Sequence, residues 1–276
     1  MTKELKSFGY KPLDIKFSPK SHRYKLGDLY LIGTTTVLGC RRKEFLQWWT
    51  VKEMYKFLGE QWNIEKTYTA KEKEELLLLG KKAWTVKKDK ALDSGSIAHI
   101  LVQKSIIAKV RGLDNFWFFQ YLPEQTRIEV SNSYQAWLDW EKTHKIEYLV
   151  TELVMGSEVH YVGGTVDVVA IVDGQLELID WKTSSQLSDD VVLQLASYKM
   201  MLIEGGVDNG IRRRAVRFDK SGKGFEDYLV ESNYEKDLEC FLALLRVYRW
   251  QRDFKSAYMN KWGKIKIKPQ KQLPIK

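Results

Sequence analysis

The chain reads as an α/β protein: a central β-sheet flanked by helices, with a helical N-terminal half. Three observations carry that expectation. Two β-branched apolar runs, about 159–172 and 175–182, are separated by Asp173-Gly174. Asp-Gly between two such runs is a strong short-range signal for a hairpin closed by a two-residue loop. Residues 43–110 instead repeat apolar side chains at helical spacing. After the hairpin, helical and strand-like stretches alternate to the end of the chain.

Taken in order, residues 15–17, 22–25 and 29–32 predict short strands joined by turns, and Thr34-Thr35-Thr36 offers N-caps for the next segment. Residues 43–62 carry Phe45, Trp48, Trp49, Met54, Tyr55 and Leu58 at helical spacing. Thr69 and Glu72 form a capping-box pair that starts a second helix, running to about Lys90 and rich in lysine. Ser94-Gly95-Ser96 is expected to interrupt it before a further helix over 97–110. Residues 112–130 look irregular, and 133–144 predicts a short helix. Strands are expected at about 147–155, 159–172 and 175–182, then a helix over 189–204, strands over 211–218 and 225–231, and a long helix from 233 to about 258. The tail beyond Trp262 is basic. With no repeat or low-complexity linker, one domain over 1–276 is the simplest organisation: a core of about 90–232, an N-terminal elaboration over 1–89, and a C-terminal helix and basic tail over 233–276.

The 276 residues carry a net charge of +9, which favours a polyanionic partner, most often nucleic acid. Cys40 and Cys240 are the only cysteines. They supply neither a disulfide framework nor the four thiolates of a zinc or iron–sulfur site. No apolar run approaches membrane-spanning length and no signal core is present, so a soluble cytoplasmic protein is expected.

The chemistry concentrates around the hairpin. If Asp173-Gly174 is the whole loop, Val172 pairs with Gln175, and counting outward sets Asp167 opposite Asp180. Lys182 shares the face of Asp180 because side chains alternate along a strand. Opposed carboxylates destabilise a sheet, whereas a divalent cation bound between them would exploit their charge. Glu152, on the preceding strand, faces the same side if the intervening turn has an even number of residues. Otherwise it is an edge residue facing solvent. His99 taken alone reads as a packing residue. Gln194 and Tyr198 lie four apart on one helical face and either touch a phosphate and Lys182 or join the core. Arg212-Arg213-Arg214 and the scattered lysines read individually as solvated charge, collectively as sequence-independent phosphate contacts.

Together, Gly95-Ser96-Ile97-Ala98-His99, Glu152, Gly164-Thr165-Val166-Asp167, Asp180-Trp181-Lys182-Thr183 and Gln194-Leu195-Ala196-Ser197-Tyr198 resemble the PD-(D/E)xK nuclease superfamily. The resemblance is to its RecB-like exonuclease branch, which includes phage exonucleases and the mitochondrial genome maintenance exonuclease. It spans roughly 90–205. It implies a restriction-endonuclease-like fold with a mixed central sheet. It also implies Mg²⁺- or Mn²⁺-dependent hydrolysis of DNA, by an exonuclease acting on a single strand or a free end in phage-type replication, recombination or repair. His99, Asp167, Asp180 and the Trp181 carbonyl would ligate one or two ions, Lys182 would assist the attacking water, Glu152 would support the site, and Gln194 and Tyr198 would shape it. A replication or recombination protein would be a partner, and a phage protein would act in the host cytoplasm. Helicase-associated relatives with an iron–sulfur cluster are a poor match, since two cysteines cannot build one. Endonuclease activity on the same chemistry, an RNA-processing enzyme and a non-catalytic DNA-binding subunit are the competing expectations.

Overall fold

The computed structural model describes residues 5–41, 44–111 and 122–254. In chain order its elements are β1 (Ile15–Ser18), β2 (Arg23–Leu26), β3 (Leu29–Gly33), α1 (Thr34–Leu38), α2 (Glu44–Gln61), α3 (Ala70–Arg111), α4 (Glu124–Lys142), β4 (Ile146–Ser157), β5 (Val162–Val172), β6 (Gln175–Lys182), α5 (Asp190–Glu204), β7 (Arg212–Phe218), β8 (Phe225–Leu229) and α6 (Tyr234–Phe254). The α/β expectation holds. All eight strands form one mixed sheet in the order β1-β2-β3-β5-β6-β7-β8, with β4 also paired to β5. The β3–β5 and β6–β7 pairs are parallel and the rest antiparallel. This is the restriction-endonuclease-like plan anticipated from the sequence.

Helices cover both faces of the sheet. On one side α5 packs Val191, Leu195 and Met201 against Leu153, Val169 and Leu178. On the other, Val102 and Ile106 of α3 and Trp137 and Trp140 of α4 pack against Val168, Ala170, Ile179, Trp181 and Phe218. The alternation along β6 therefore sends Ile179 and Trp181 toward α3 and α4, and Asp180 and Lys182 toward α5.

Three local expectations are corrected. Ser94-Gly95-Ser96 does not break the helix: α3 runs unbroken for 42 residues. A glycine inside a helix costs only ~1 kcal/mol, and packing at this point requires one. A Cβ at Gly95 would lie 2.7 Å from Thr183 Oγ1, so its absence lets α3 approach the end of β6. Ser94 is buried and donates to Glu129 Oε2 at 2.7 Å. The helix α4 begins at Glu124, not 133, just after Pro123, whose fixed φ suits the position before a first turn. Residues 112–121 of the expected irregular stretch lie outside the described residues, as does the basic tail. Finally, Thr34 does not cap a helix from outside. It lies within α1, buried, donating to the Gly163 carbonyl at 3.3 Å and contacting Ser197 Oγ at 3.0 Å. The capping box at Thr69 and Glu72 forms as expected, with the Thr69 amide donating to Glu72 Oε2 at 2.8 Å and the Glu72 amide donating to Thr69 Oγ1 at 3.3 Å.

The arginine run has a structural role. Glu177, fully buried, is ion-paired with both Arg212 and Arg214. Arg214 also binds Asp227 at 2.7 Å, and Arg213 binds Asp237 at 2.8 Å. Removing one partner of such a buried group strands the other charges, at about 3–5 kcal/mol. Glu177→Ala should lower the unfolding free energy by about that much, read from chemical denaturation. A loss below ~1 kcal/mol, typical of solvent-exposed pairs, would show that the pairing is solvated in solution.

Candidate active site

The site is assembled where the edge of β5 changes partner. The strand β3 pairs with Val162 and Gly163, and β6 pairs with Val168 through Val172. Residues 164–167 fall between these two ladders. The hairpin register is the expected one, with Val172 opposite Gln175 and Val168 opposite Ile179. The next position outward is Asp167 against Asp180. Here the ladder stops, and the Trp181 amide donates to Asp167 Oδ2 at 2.6 Å instead of to a backbone carbonyl. Two carboxylates that would repel across a closed ladder thus sit at its open fork.

The loop between β4 and β5 holds four residues, 158–161, so the condition for Glu152 is met: Thr151 and Leu153 pair with Val168 and Val166, on either side of Asp167. Glu152 itself has a positive φ of 50°, a strained conformation for a non-glycine residue. His99 arrives from α3, its Nδ1 3.4 Å from Asp167 Oδ1. His99, Glu152 and Asp167 each bring one donor atom within 4.8 Å of the others.

Asp180 lies beside this trio, buried, its Oδ2 ion-paired with Lys182. Gln194 on α5 binds every neighbour on that side. Its Nε2 donates to Asp180 Oδ1 at 2.8 Å and to Tyr198 Oη at 2.9 Å, while its Oε1 accepts from Lys182 Nζ at 3.1 Å. Gln194 and Tyr198 share a helical face, as their spacing predicts. Their side chains are buried and orient the acid and the lysine. The Trp181 ring is buried away from the cleft, packed against Trp140 and Phe218.

These groups line a cleft of ≈ 440 Å³ together with His22, Tyr24, Thr34, Ser96, Thr165 and Thr183. Tyr24, whose Oη lies 3.1 Å from Thr165 Oγ1, comes from β2 and His22 from the turn before it, a region that no motif in the sequence tied to the site. The close approach of α5 requires Gly164, where a Cβ would lie 2.5 Å from Tyr198 Cε1. Gly164→Ala should displace Tyr198 and the Gln194 network. A displacement of ~1 Å can cost about 100-fold in rate. Unchanged kcat on any substrate the wild type turns over would show that Tyr198 is not a positioning group.

Electrostatics separate the acids. Burial pushes the Asp180 carboxyl up to about 6, with the Lys182 charge opposing and Asp167 adding to the rise. Burial and the charge of Asp167 push Glu152 up to about 7, against the pull of His99. Glu152 remains exposed at the mouth, so repulsion from Asp167 is the firmer part of that elevation. Burial acts upward on Asp167 too, but His99, Lys182 and the Trp181 amide hold it below the ordinary carboxylate value. Burial disfavours the His99 imidazolium, yet Asp167 raises it above the usual histidine value. Carboxylates crowded enough to resist ionisation are a mark of functional sites.

The donor set fits a divalent cation. Hard ions take carboxylate oxygens, and imidazole suits transition metals. His99, Glu152 and Asp167 bring one donor atom each within 4.8 Å of one another, and the buried Asp180, whose Oδ2 is ion-paired with Lys182, adds a further carboxylate beside them. The residues place opposed acids and a lysine at the end of a hairpin, a donor set able to hold a divalent cation.

The chain matches the model of the PD-(D/E)XK nuclease superfamily over residues 70–271, and it belongs to that superfamily. Among solved structures, an alkaline exonuclease from Laribacter hongkongensis is similar at 15% identity and a TM-score of 0.28, over 56% of this chain and 82% of that one. No curated protein matches the chain. Among the described residues no helix is long and apolar enough to cross a membrane.

Proposed function

We propose that this nuclease is a divalent-metal-dependent DNA exonuclease. The observation that carries the reading is the convergence of His99, Glu152, Asp167, Asp180 and Lys182 on one cleft. His99, Asp167, Asp180 and the Trp181 carbonyl would hold one or two Mg²⁺ or Mn²⁺ ions, with Glu152 offering a further carboxylate beside them. When bound, the metal supplies Lewis-acid polarisation of the phosphoryl oxygen and acidifies the attacking water.

The protein's own groups do the rest. Lys182 orients the attacking water and offsets charge that builds on the phosphate. Gln194 fixes both Lys182 and Asp180, so neither rotates away between turnovers. Tyr198, buried and held well above its usual pKa by that burial, remains a neutral phenol and closes the back of the site. Water adds to phosphorus as the bond to the leaving oxygen breaks, and the proton that the water gives up passes through solvent to that oxygen. The exonuclease mode, a single-stranded or free-ended DNA substrate and a replication or recombination partner are taken from the family pattern at these positions, and a cytoplasmic setting from the cysteine usage and apolar pattern of the sequence. The same reading treats residues 1–276 as one nuclease domain.

The test uses DNA labelled at either the 5′ or the 3′ end, single- and double-stranded, with a closed circle alongside, in Mg²⁺, Mn²⁺ or EDTA. Loss of linear DNA with the circle spared, only with metal, is expected. Cutting of the circle would make the enzyme an endonuclease. Binding without cleavage under every condition would leave a DNA-binding subunit.

A further inference from the structure

The unbroken course of α3 has a geometric result that a helix interrupted at 94–96 would lack. Gly95, Ser96 and His99 of the cleft lie on the same helix as a lysine-rich segment, and the phase of the helix is kept between them. Lys81, Lys88, Gly95 and His99 are spaced by seven, seven and four residues, close to whole turns at about 3.6 residues per turn. They form one stripe along α3. Lys81 and Lys88 are exposed, and neither has an ion-pair partner among the described residues. In this they differ from Lys87, paired with Glu53 at 2.8 Å, and from Arg212, Arg213 and Arg214, each paired within the fold. The Lys88 ammonium rests 5.6 Å above the Trp84 ring, which is itself packed edge-on against Trp49 at 6.4 Å. A charge held on a braced ring, on the helix face that also carries His99 and left without an acid, is a poor solvated lysine and a good phosphate contact.

We propose that the α3 stripe through Lys81 and Lys88 is the track on which the DNA backbone reaches the cleft. The inference rests on the nuclease reading of that cleft and assigns its substrate an approach path. At ~1.5 Å per residue, Lys88 lies about 16 Å and Lys81 about 27 Å along the helix from His99. With a stacked strand rising ~3.4 Å per nucleotide, these are phosphates roughly five and eight nucleotides from the reacting bond. The contacts would be to phosphate and so would carry no sequence preference. Glu74, about two turns beyond Lys81 on the same side, marks the outer end of the favourable charge.

The experiment measures binding of a fluorescent 20-nucleotide single strand, followed by anisotropy from 50 to 300 mM salt. All binding is read in the Lys182→Ala background, so the strand is not consumed. Lys81→Glu/Lys88→Glu is compared with Lys71→Glu/Lys82→Glu. Each residue of the second pair lies about a quarter turn off the stripe and is likewise exposed, and the pair makes the same change in net charge. The stripe variant is expected to bind at least tenfold more weakly at low salt, with the slope of log K against log salt reduced by ~1.4 for two lost contacts to a single strand. The off-stripe variant should change affinity less than threefold and leave the slope alone. Equal weakening in both variants, or none in the stripe variant, overturns the track. Cleavage of the same strand by the wild type in Mg²⁺ separates the two readings. Cleavage without stripe dependence removes the track and keeps the nuclease. Stripe-dependent binding without cleavage does the reverse. No binding by any form removes both.

Discussion

Lys182→Ala should lower cleavage by about 10³-fold while leaving affinity for DNA nearly intact. The size follows from two roles lost at once. A positioned proton-transfer or water-orienting group contributes ~10²–10⁴-fold, and one preorganised partner for developing charge contributes ~10²–10³-fold. Groups that act as a unit do not multiply, so the loss stays near the common range. Asp180→Asn should be as severe, and it carries a second signature. Burial raises the folded-state pKa of Asp180 to about 6, above its ordinary value. A carboxyl with a raised pKa stabilises the fold most when protonated, and that contribution is lost as pH rises through the folded value. At pH 7.5 the ionised Asp180 of the metal-free protein is therefore a burden. Asparagine keeps the shape and the hydrogen bond from Gln194 and carries no charge. The variant should be inactive yet melt no lower than wild type, the trade of stability for function found at strained sites. Wild-type rates in either variant would remove Lys182 and Asp180 from the chemistry. An inactive Asp180→Asn that also unfolds early would assign the carboxylate to the fold instead.

The part of this site legible in the sequence is the part set by local rules. Asp173-Gly174 fixed a two-residue loop, and the period of the strand then carried the register to Asp167, Asp180 and Lys182 without tertiary information. The even loop before β5 placed Glu152 by the same arithmetic. Helix phase put Gln194 and Tyr198 on one face. What local rules could not supply was the result of packing. The glycine at 95 serves a close approach of α3 to Thr183 at the end of β6, a juxtaposition with no trace in the neighbouring residues. Tyr24 and His22 reach the cleft because β3 pairs with the start of β5 across more than a hundred residues of chain. The three arginines of β7 look like a basic patch until β6 supplies Glu177 to Arg212 and Arg214 and α6 supplies Asp237 to Arg213. Non-local contacts of this kind override propensity and composition alike. They also decide which of the many basic residues remain available to a polyanion.

Withdrawing metal should abolish cleavage, and the pH dependence of metal binding should be steep. In the metal-free protein Glu152 retains its proton to about 7 and Asp180 to about 6, while His99 is held above its usual value by Asp167. Metal ligands must be deprotonated, so an ion entering this cleft displaces about two protons near pH 6. Affinity should therefore climb between pH 5 and pH 8. The stability of the two forms should diverge across the same window. Raised carboxyl pKa values make the metal-free fold lose stability as pH rises from the ordinary carboxylate range through 6 and 7. The metal-bound fold escapes that loss because the cation compensates the ionised acids. At an ion concentration of ~100 Kd the bound form gains ~2.7 kcal/mol, about 5–10 °C in melting temperature for a chain of this size. The gain should be largest near pH 8 and small at pH 5. Calorimetric titration with Mn²⁺ in two buffers of different ionisation enthalpy would count the protons released. A heat that is the same in both buffers, with a melting shift independent of pH, would mean that the ion is held by groups already ionised. In that case Asp167 alone, the one acid the site keeps below its ordinary pKa, would be the anchor, and Glu152 and Asp180 would have to act without touching metal.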